Sequence, residues 1–372
     1  MPPIKHHLSR IYRTNTDEKS RQGFLRLDMN ESLSGLPKKF INDVFSRVSP
    51  DYLATYPEYR SLKEKIAQFN NVLPENILLA NGSDAAIKYI FDVYIKEGDK
   101  VLLTDPTFAM YPVYGQIFNA QAVLVEYNHD LSFPKNKFLK MMNSDVKMAV
   151  IVNPNNPTGS VISPQDLQEI ITLAADKDIL LIIDEAYFPF CPYTVVEQVK
   201  HFSHLIVLRT FSKMLAMAGA RLGYAVACPS VIESLGRVRP TYDVNGLAVL
   251  LAESLLSKKE IINELMEDFK QGRDFLQKQL SKYHIPYKDT NANFVLISCG
   301  DRLPGIKAAL EENKILVGGP FKQSFLEGYI RVTAGPKPVM EKFLESFIKI
   351  WQRSTLASRQ SNSLANENSS HL

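Results

Sequence analysis

Ile179-Leu180-Leu181-Ile182-Ile183-Asp184-Glu185-Ala186-Tyr187 is the stretch that decides the architecture. Five consecutive apolar residues end abruptly on two carboxylates. A strand with one wet face would alternate apolar and polar residues, so the unbroken run predicts a strand covered on both faces. Working outward, residues 77–80, 101–104, 122–125, 148–152, 205–208 and 222–227 read as further strands. Residues 84–96 and 163–176 read as helices between them, the second with Ser163 as N-cap and Pro164 in its first turn. Strands alternating with helices predict an α/β fold: a three-layer, mainly parallel sheet with helices on both faces. Such sheets bind ligands beyond the carboxyl ends of their strands. The polar motifs fall there: Asn81-Gly82-Ser83-Asp84, residues 153–159, Asp184 to Tyr187, and Thr210 to Lys213.

Residues 245–283 read as a long helical region, and residues 285–351 as short strands mixed with helices, a smaller α+β domain. The predicted organisation is an N-terminal segment (1–40) packing with the small domain, a large domain (41–240), a connecting helix with the small domain (241–355), and a polar tail (356–372) expected to be disordered. The chain of 372 residues is 45% apolar and 22% charged, the mix of a globular protein with a large core. A net charge of +3, with basic residues scattered among acids, argues against a nucleic-acid partner. No apolar stretch approaches the roughly 20 residues of a membrane span, and no apolar run follows the N-terminal residues, so a cytoplasmic location and no membrane partner are expected. Cys191, Cys228 and Cys299 lack metal-ligand spacing, and no metal is expected.

Four motifs carry chemistry. Thr210-Phe211-Ser212-Lys213-Met214-Leu215-Ala216-Met217-Ala218-Gly219-Ala220-Arg221-Leu222-Gly223 sets a lysine after a buried strand, behind two hydroxyls and ahead of an arginine. Arg221 can grip a phosphate through paired hydrogen bonds, and Thr210 and Ser212 add donors. Cations and desolvation around a lysine favour the neutral amine a nucleophile needs. Asp184 ends a buried strand, where an unpaired carboxylate is costly and a cationic ring nitrogen would remove the cost; Tyr187 could reach the same ring. The two prolines of Asn153-Pro154-Asn155-Asn156-Pro157-Thr158-Gly159 hold an asparagine in one orientation. Asn81-Gly82-Ser83-Asp84 opens a helix whose N-terminal N–H groups suit phosphate. Each alone has an ordinary explanation: a surface lysine, a capping aspartate, a tight turn, a glycine loop.

Together, in this order and spacing, they resemble the fold-type-I pyridoxal-phosphate (PLP) aminotransferases from about residue 30 to 351. The histidinol-phosphate aminotransferase branch is the nearest match. Asn30-Glu31, Thr55-Tyr56-Pro57-Glu58, the four motifs and Tyr329-Ile330-Arg331-Val332-Thr333 carry the resemblance.

The resemblance implies that Lys213 holds the cofactor covalently and moves the substrate proton. It implies that Asp184 keeps the pyridine nitrogen protonated, that Asn156 and Tyr187 bond the ring 3-oxygen, and that Phe108 stacks on the ring. The phosphate would lie among Ser83, Asp84, Thr210, Ser212 and Arg221, with Tyr56 reaching it from a neighbouring subunit of a homodimer. Arg331 would bind the substrate carboxylate, and Asn30 and Tyr12 would line the substrate pocket; Tyr111 and Tyr114 are further pocket candidates. The partners implied are an amino acid, or an amine such as histidinol phosphate, and a 2-oxo acid. The chain departs from the branch in two places. Residues 315–320 read Ile-Leu-Val-Gly-Gly-Pro, with Gly318 in a stretch where the branch carries an arginine, and Ser32-Leu33 replaces Asn-Pro. Both lie near the expected substrate pocket and leave the amino donor open. A PLP-dependent amino-acid-phosphate decarboxylase and a non-catalytic PLP-fold binding protein are the alternative functions.

Overall fold

A computed structural model describes residues 4–11, 20–191 and 193–369, with side chains as far as residue 356, Arg10 excepted. The described strands are β1 (Leu25–Leu27), β2 (Ile77–Ala80), β3 (Lys100–Asp105), β4 (Gln121–Glu126), β5 (Val146–Val152), β6 (Leu180–Asp184), β7 (Leu205–Thr210), β8 (Gly223–Ala227), β9 (Tyr287–Lys288), β10 (Phe294–Ser298), β11 (Ile315–Val317) and β12 (Tyr329–Thr333). The chain divides into two compact units. The first holds the described residues up to Ile11 and those from Gly35 to Met266; the second holds residues 20–34 and those from Glu267 on.

In the first unit one seven-stranded sheet runs β2-β8-β7-β6-β5-β3-β4. Strands β4, β3, β5, β6 and β7 pair in parallel, and β8 lies antiparallel to both its neighbours. Successive side chains of a strand point to opposite faces. Leu181 and Ile183 of β6 therefore join one core, with Leu62 and Ile66 of helix Arg60–Phe69, Ile170 and Ala174 of helix Pro164–Asp176, and Ala252 of helix Gly246–Leu256. Leu180 and Ile182 join another, with Ile87 and Phe91 of helix Ser83–Tyr94 and Leu235 of helix Pro229–Gly236. The two cores explain the unbroken apolar run: either face of β6 is worth about 1.5–3 kcal/mol per Leu or Ile buried. The three-layer α/β architecture follows from this sequence pattern. Ser163 caps its helix as predicted, its hydroxyl accepting from the Asp166 N–H at 3.1 Å.

In the second unit β1 pairs in parallel with β11, and β12, β10 and β9 form an antiparallel sheet in that order. The region read as one long helix is two, Gly246–Leu256 and Lys259–Lys282. The first of these belongs with the large sheet, because Ala248, Val249, Ala252 and Leu255 are buried in its core; by compactness the division falls after Met266. Helix Lys337–Ser369 closes the described chain. The helix is anchored by buried Phe343, Phe347 and Trp351. Residues 356–369 hold no Gly or Pro to stop it, and extending an existing helix avoids the nucleation cost.

Candidate active site

Strand register brings the motif loops of the first unit to one edge. Ala80 pairs with Gly223 and Gly223 with Thr210, so the ends of β2 and β7 flank the start of β8. A Cβ on Gly223 would come within 2.3 Å of the Ser83 nitrogen, so only glycine lets helix Ser83–Tyr94 begin there. Gly82 has φ +77°, and a Cβ on it would meet the Arg221 guanidinium at 2.6 Å. Arg221 itself takes a left-handed conformation, and its Nη2 stands 3.5 Å from Asp84 Oδ2. The Thr210 hydroxyl donates to Ser212 Oγ (2.9 Å) and accepts from the Ser212 N–H (3.1 Å). First-turn N–H groups of a helix have no intrahelical acceptor. A helix start, a guanidinium and two buried hydroxyls thus cluster beside the loop that carries half-buried Lys213.

Asp184 lies at the end of β6, 1% exposed, between Val152 of β5 and Leu208 of β7. Its Oδ2 accepts from the Tyr111 hydroxyl at 2.7 Å and its Oδ1 from the Ala186 N–H at 3.0 Å. Burial pushes its carboxyl up to about 6, against the pull of those two hydrogen bonds. The Phe108 ring packs edge-on to Tyr111 with centroids 6.2 Å apart. The turn after β5 is tied in as well: the Asn153 N–H donates to the Asp184 carbonyl (2.8 Å) and Asn155 Nδ2 to the Pro106 carbonyl (3.2 Å). That places half-buried Asn156 and buried Tyr187 in loops adjoining Asp184.

Glu185, the next residue, is also buried but fully partnered. Its Oε2 accepts from Arg209 Nη2 (2.8 Å), Arg209 Nε (3.1 Å) and the Thr194 hydroxyl (2.6 Å), and its Oε1 from the Val195 N–H (2.8 Å). Arg209 also donates to Asn70 Oδ1 (2.5 Å) and lies 3.5 Å above the Phe188 ring.

Asn30 and Arg331 belong to the second unit. The Asn30 N–H donates to Thr333 Oγ1 (3.1 Å), and Arg331 Nη2 donates to the Asp28 carbonyl (2.6 Å). Gly318 bridges to Arg331 across the backbone, and a Cβ on it would stand 3.1 Å from Arg331 Nε. The missing side chain at 318 is therefore the space the Arg331 side chain runs through. Tyr12 lies outside the described residues. Tyr56 is 73% exposed and stacks on Tyr242, with ring centroids 4.0 Å apart.

The sequence signature described as aminotransferase class I and II matches residues 24–347. The chain belongs to the class I and II aminotransferase family. It is 35% identical over 315 residues to the histidinol-phosphate aminotransferase of Thermoanaerobacter sp. (strain X514), covering 83% of this chain and 88% of that one. Its fold matches the structure of a putative histidinol-phosphate aminotransferase from Erwinia carotovora atroseptica with a TM-score of 0.83 at 24% identity, over 90% of this chain and 98% of the other. It also matches the histidinol-phosphate aminotransferase of Sinorhizobium meliloti in complex with pyridoxal-5′-phosphate, with a TM-score of 0.79 at 20% identity, over 88% and 91% of the two chains. As a family member the protein is an enzyme, a transaminase.

Within this aminotransferase, sequence reading reached the loop residues but not what holds them. Tyr111 was read only as a pocket aromatic, whereas its hydroxyl bonds Asp184. The Glu185–Arg209 pair went unseen, although two charges beside buried strand ends, each next to a motif residue, are the signal that could have found it. Gly82 and Gly223 were legible as glycines, but their contacts with Arg221 and Ser83 depend on register.

Proposed function

We propose that this transaminase uses pyridoxal phosphate to move an amino group between an amino acid, or an amine such as histidinol phosphate, and a 2-oxo acid. The observation that carries the reading is Asp184: a buried carboxylate pushed up to about 6, bonded only by neutral donors among its described hydrogen bonds, at the end of a central strand. A cationic ring nitrogen is the partner that would hold it ionised. The helix start at Ser83 and the Arg221 guanidinium suit the cofactor phosphate, and both approach this closely only because residues 82 and 223 carry no side chain. When bound, the cofactor supplies an electron sink for the charge left when the substrate Cα loses its proton.

The chain's own residues do the rest. Lys213 would hold the cofactor, and its Nζ, once freed, would take and return the proton of the substrate Cα. Asn156 and Tyr187 hold the ring 3-oxygen, and Phe108 covers the ring face. Ser83, Asp84, Thr210, Ser212 and Arg221 hold the phosphate, with Arg221 supplying the charge. Arg331 takes the substrate carboxylate, and Asn30 and Tyr12 line the substrate side. The relatives named as histidinol-phosphate aminotransferases make that phosphate ester the first donor to try.

A homodimer is part of the proposal, with Tyr56 reaching the neighbouring site. Its support is the exposed pair of stacked rings, Tyr56 and Tyr242, available to a partner. A cytoplasmic location agrees with three cysteines outside any disulfide. Among the described residues no helix is long and apolar enough to cross a membrane.

The test is a visible spectrum of the purified protein with supplied cofactor, repeated for Lys213→Ala, followed by a donor panel. A visible band that Lys213→Ala abolishes, bleached by a donor with release of a 2-oxo product or its aldehyde or ketone counterpart, is the expected result. Loss of turnover in the variant should exceed ~10³-fold. Release of carbon dioxide in place of such a product would assign the decarboxylase alternative, and no band at all would overturn the cofactor.

A further inference from the structure

Tyr111 sits deep in the core, 0% exposed, beneath the carboxyl end of β6. A phenol buried among Ile87, Val152 and Leu208 needs a hydrogen-bond partner, and the one described for its hydroxyl is Asp184 Oδ2, at 2.7 Å. The donor is held in place by packing: Tyr111 lies in helix Met110–Ile117, against the Phe108 ring. The acceptor is held by the strand register and by the Ala186 N–H. Neither group needs to reorganise for the bond to persist.

We propose that Tyr111 is a positioning residue for the transamination: its hydroxyl stabilises the ionised form of Asp184 and so keeps the cofactor ring nitrogen protonated. This rests on the reading that Asp184 faces that nitrogen. The reasoning is electrostatic. One proton is shared between the ring nitrogen and Asp184. A hydrogen bond donated to the carboxylate favours the arrangement with the proton on nitrogen and the charge on Asp184. Hydrogen bonds to charged groups are worth about 1.5–3 kcal/mol, enough to shift such an equilibrium by an order of magnitude or more. The other charged groups that act on Asp184 are Asp84, from the helix packed beside it, and Glu185, its neighbour. Both are anions that oppose ionisation, and each has its own cation, Arg221 at 3.5 Å and Arg209 at 2.8 Å. Tyr111 is thus the side chain described as favouring the charged form. Its own ionisation is suppressed, since burial first and Asp184 next push the phenol well above its ordinary value.

The experiment uses the holoenzyme of wild type, Tyr111→Phe, Asp184→Asn and the double variant. The readout is the pH at which the visible absorption of the Lys213-bound cofactor changes. A neutral ring nitrogen withdraws less charge, so Tyr111→Phe should raise that midpoint by about one pH unit. It should lower kcat about tenfold and change KM less than about threefold. In the Asp184→Asn background the same substitution should shift nothing, because the group it acts through is gone. An equal shift in both backgrounds, or none in the wild-type background while Asp184→Asn alone shifts the midpoint, would overturn the inference. No effect of Asp184→Asn would instead overturn the underlying assignment of Asp184. If a variant does not retain cofactor, the cofactor-free proteins answer through the Asp184 carboxyl carbon signal. Its titration should move to higher pH in Tyr111→Phe, and an unchanged titration overturns the proposal.

Discussion

Asp184 and Glu185 leave the same strand end as neighbours and meet opposite faces of the sheet. Both are buried, at 1% and 3% exposure. Glu185 finds a full set of partners within its own chain: a guanidinium, a hydroxyl and a backbone N–H. Asp184 finds a phenol and one N–H, and burial leaves its carboxyl raised to about 6. A buried charge that is fully paired is part of the scaffold, whereas one left with neutral donors waits for a cation from outside. The two consecutive carboxylates thus differ in pairing: one is matched by a cation of its own chain, the other is the residue for which a cofactor role is proposed.

The largest expected effect would break the scaffold side of the comparison. Glu185→Gln leaves the Arg209 guanidinium buried without its anion, and should cost about 3–5 kcal/mol of unfolding free energy. Denaturant unfolding of the cofactor-free protein measures it; a loss below about 1 kcal/mol would mean that the pair is not holding the strand ends together. Next comes the functional side. Burial raises the folded-state value of Asp184 from the ordinary 3.8 to about 6. Between those values the native protein binds a proton that the unfolded chain has lost, so stability falls as pH rises from about 4 to 6 and then levels. Asp184→Asn removes that dependence. The cofactor-free variant should match wild type near pH 4 and exceed it by about 3 kcal/mol above pH 7. A difference that does not grow with pH would put Asp184 among the already paired charges. The smallest effect tests the proposed phosphate site. Gly82→Ala adds a Cβ at φ +77° and displaces the Arg221 guanidinium. It should weaken cofactor binding about tenfold, near 1.4 kcal/mol, in equilibrium dialysis while leaving the fold intact.

How much of this was legible differs between the same two residues. The apolar run ending at Asp184 was enough to place a carboxylate at a buried strand end, because a strand covered on both faces writes its burial directly into composition. Lys213, Arg221 and Ser83 were legible for a related reason: loops at the carboxyl ends of parallel strands carry their polar residues in short, local motifs. Glu185 was invisible as a scaffold residue because its partners, Arg209 of β7 and Thr194 and Val195 of the loop beyond β6, meet it only in the fold. Tyr111 was seen as an aromatic of the pocket, since nothing in Met110-Tyr111-Pro112 tells that its hydroxyl reaches a strand some seventy positions away.

By itself, the sequence determined the layers, the strand ends at which chemistry is placed and the aminotransferase family, all of which rest on local periodicity and short motifs. Tertiary structure alone decided which buried charge is paired, which is left raised, and why residues 82, 223 and 318 carry no side chain. Those outcomes depend on distances between segments far apart in the chain, and the cost of burying a charge is set by what surrounds it.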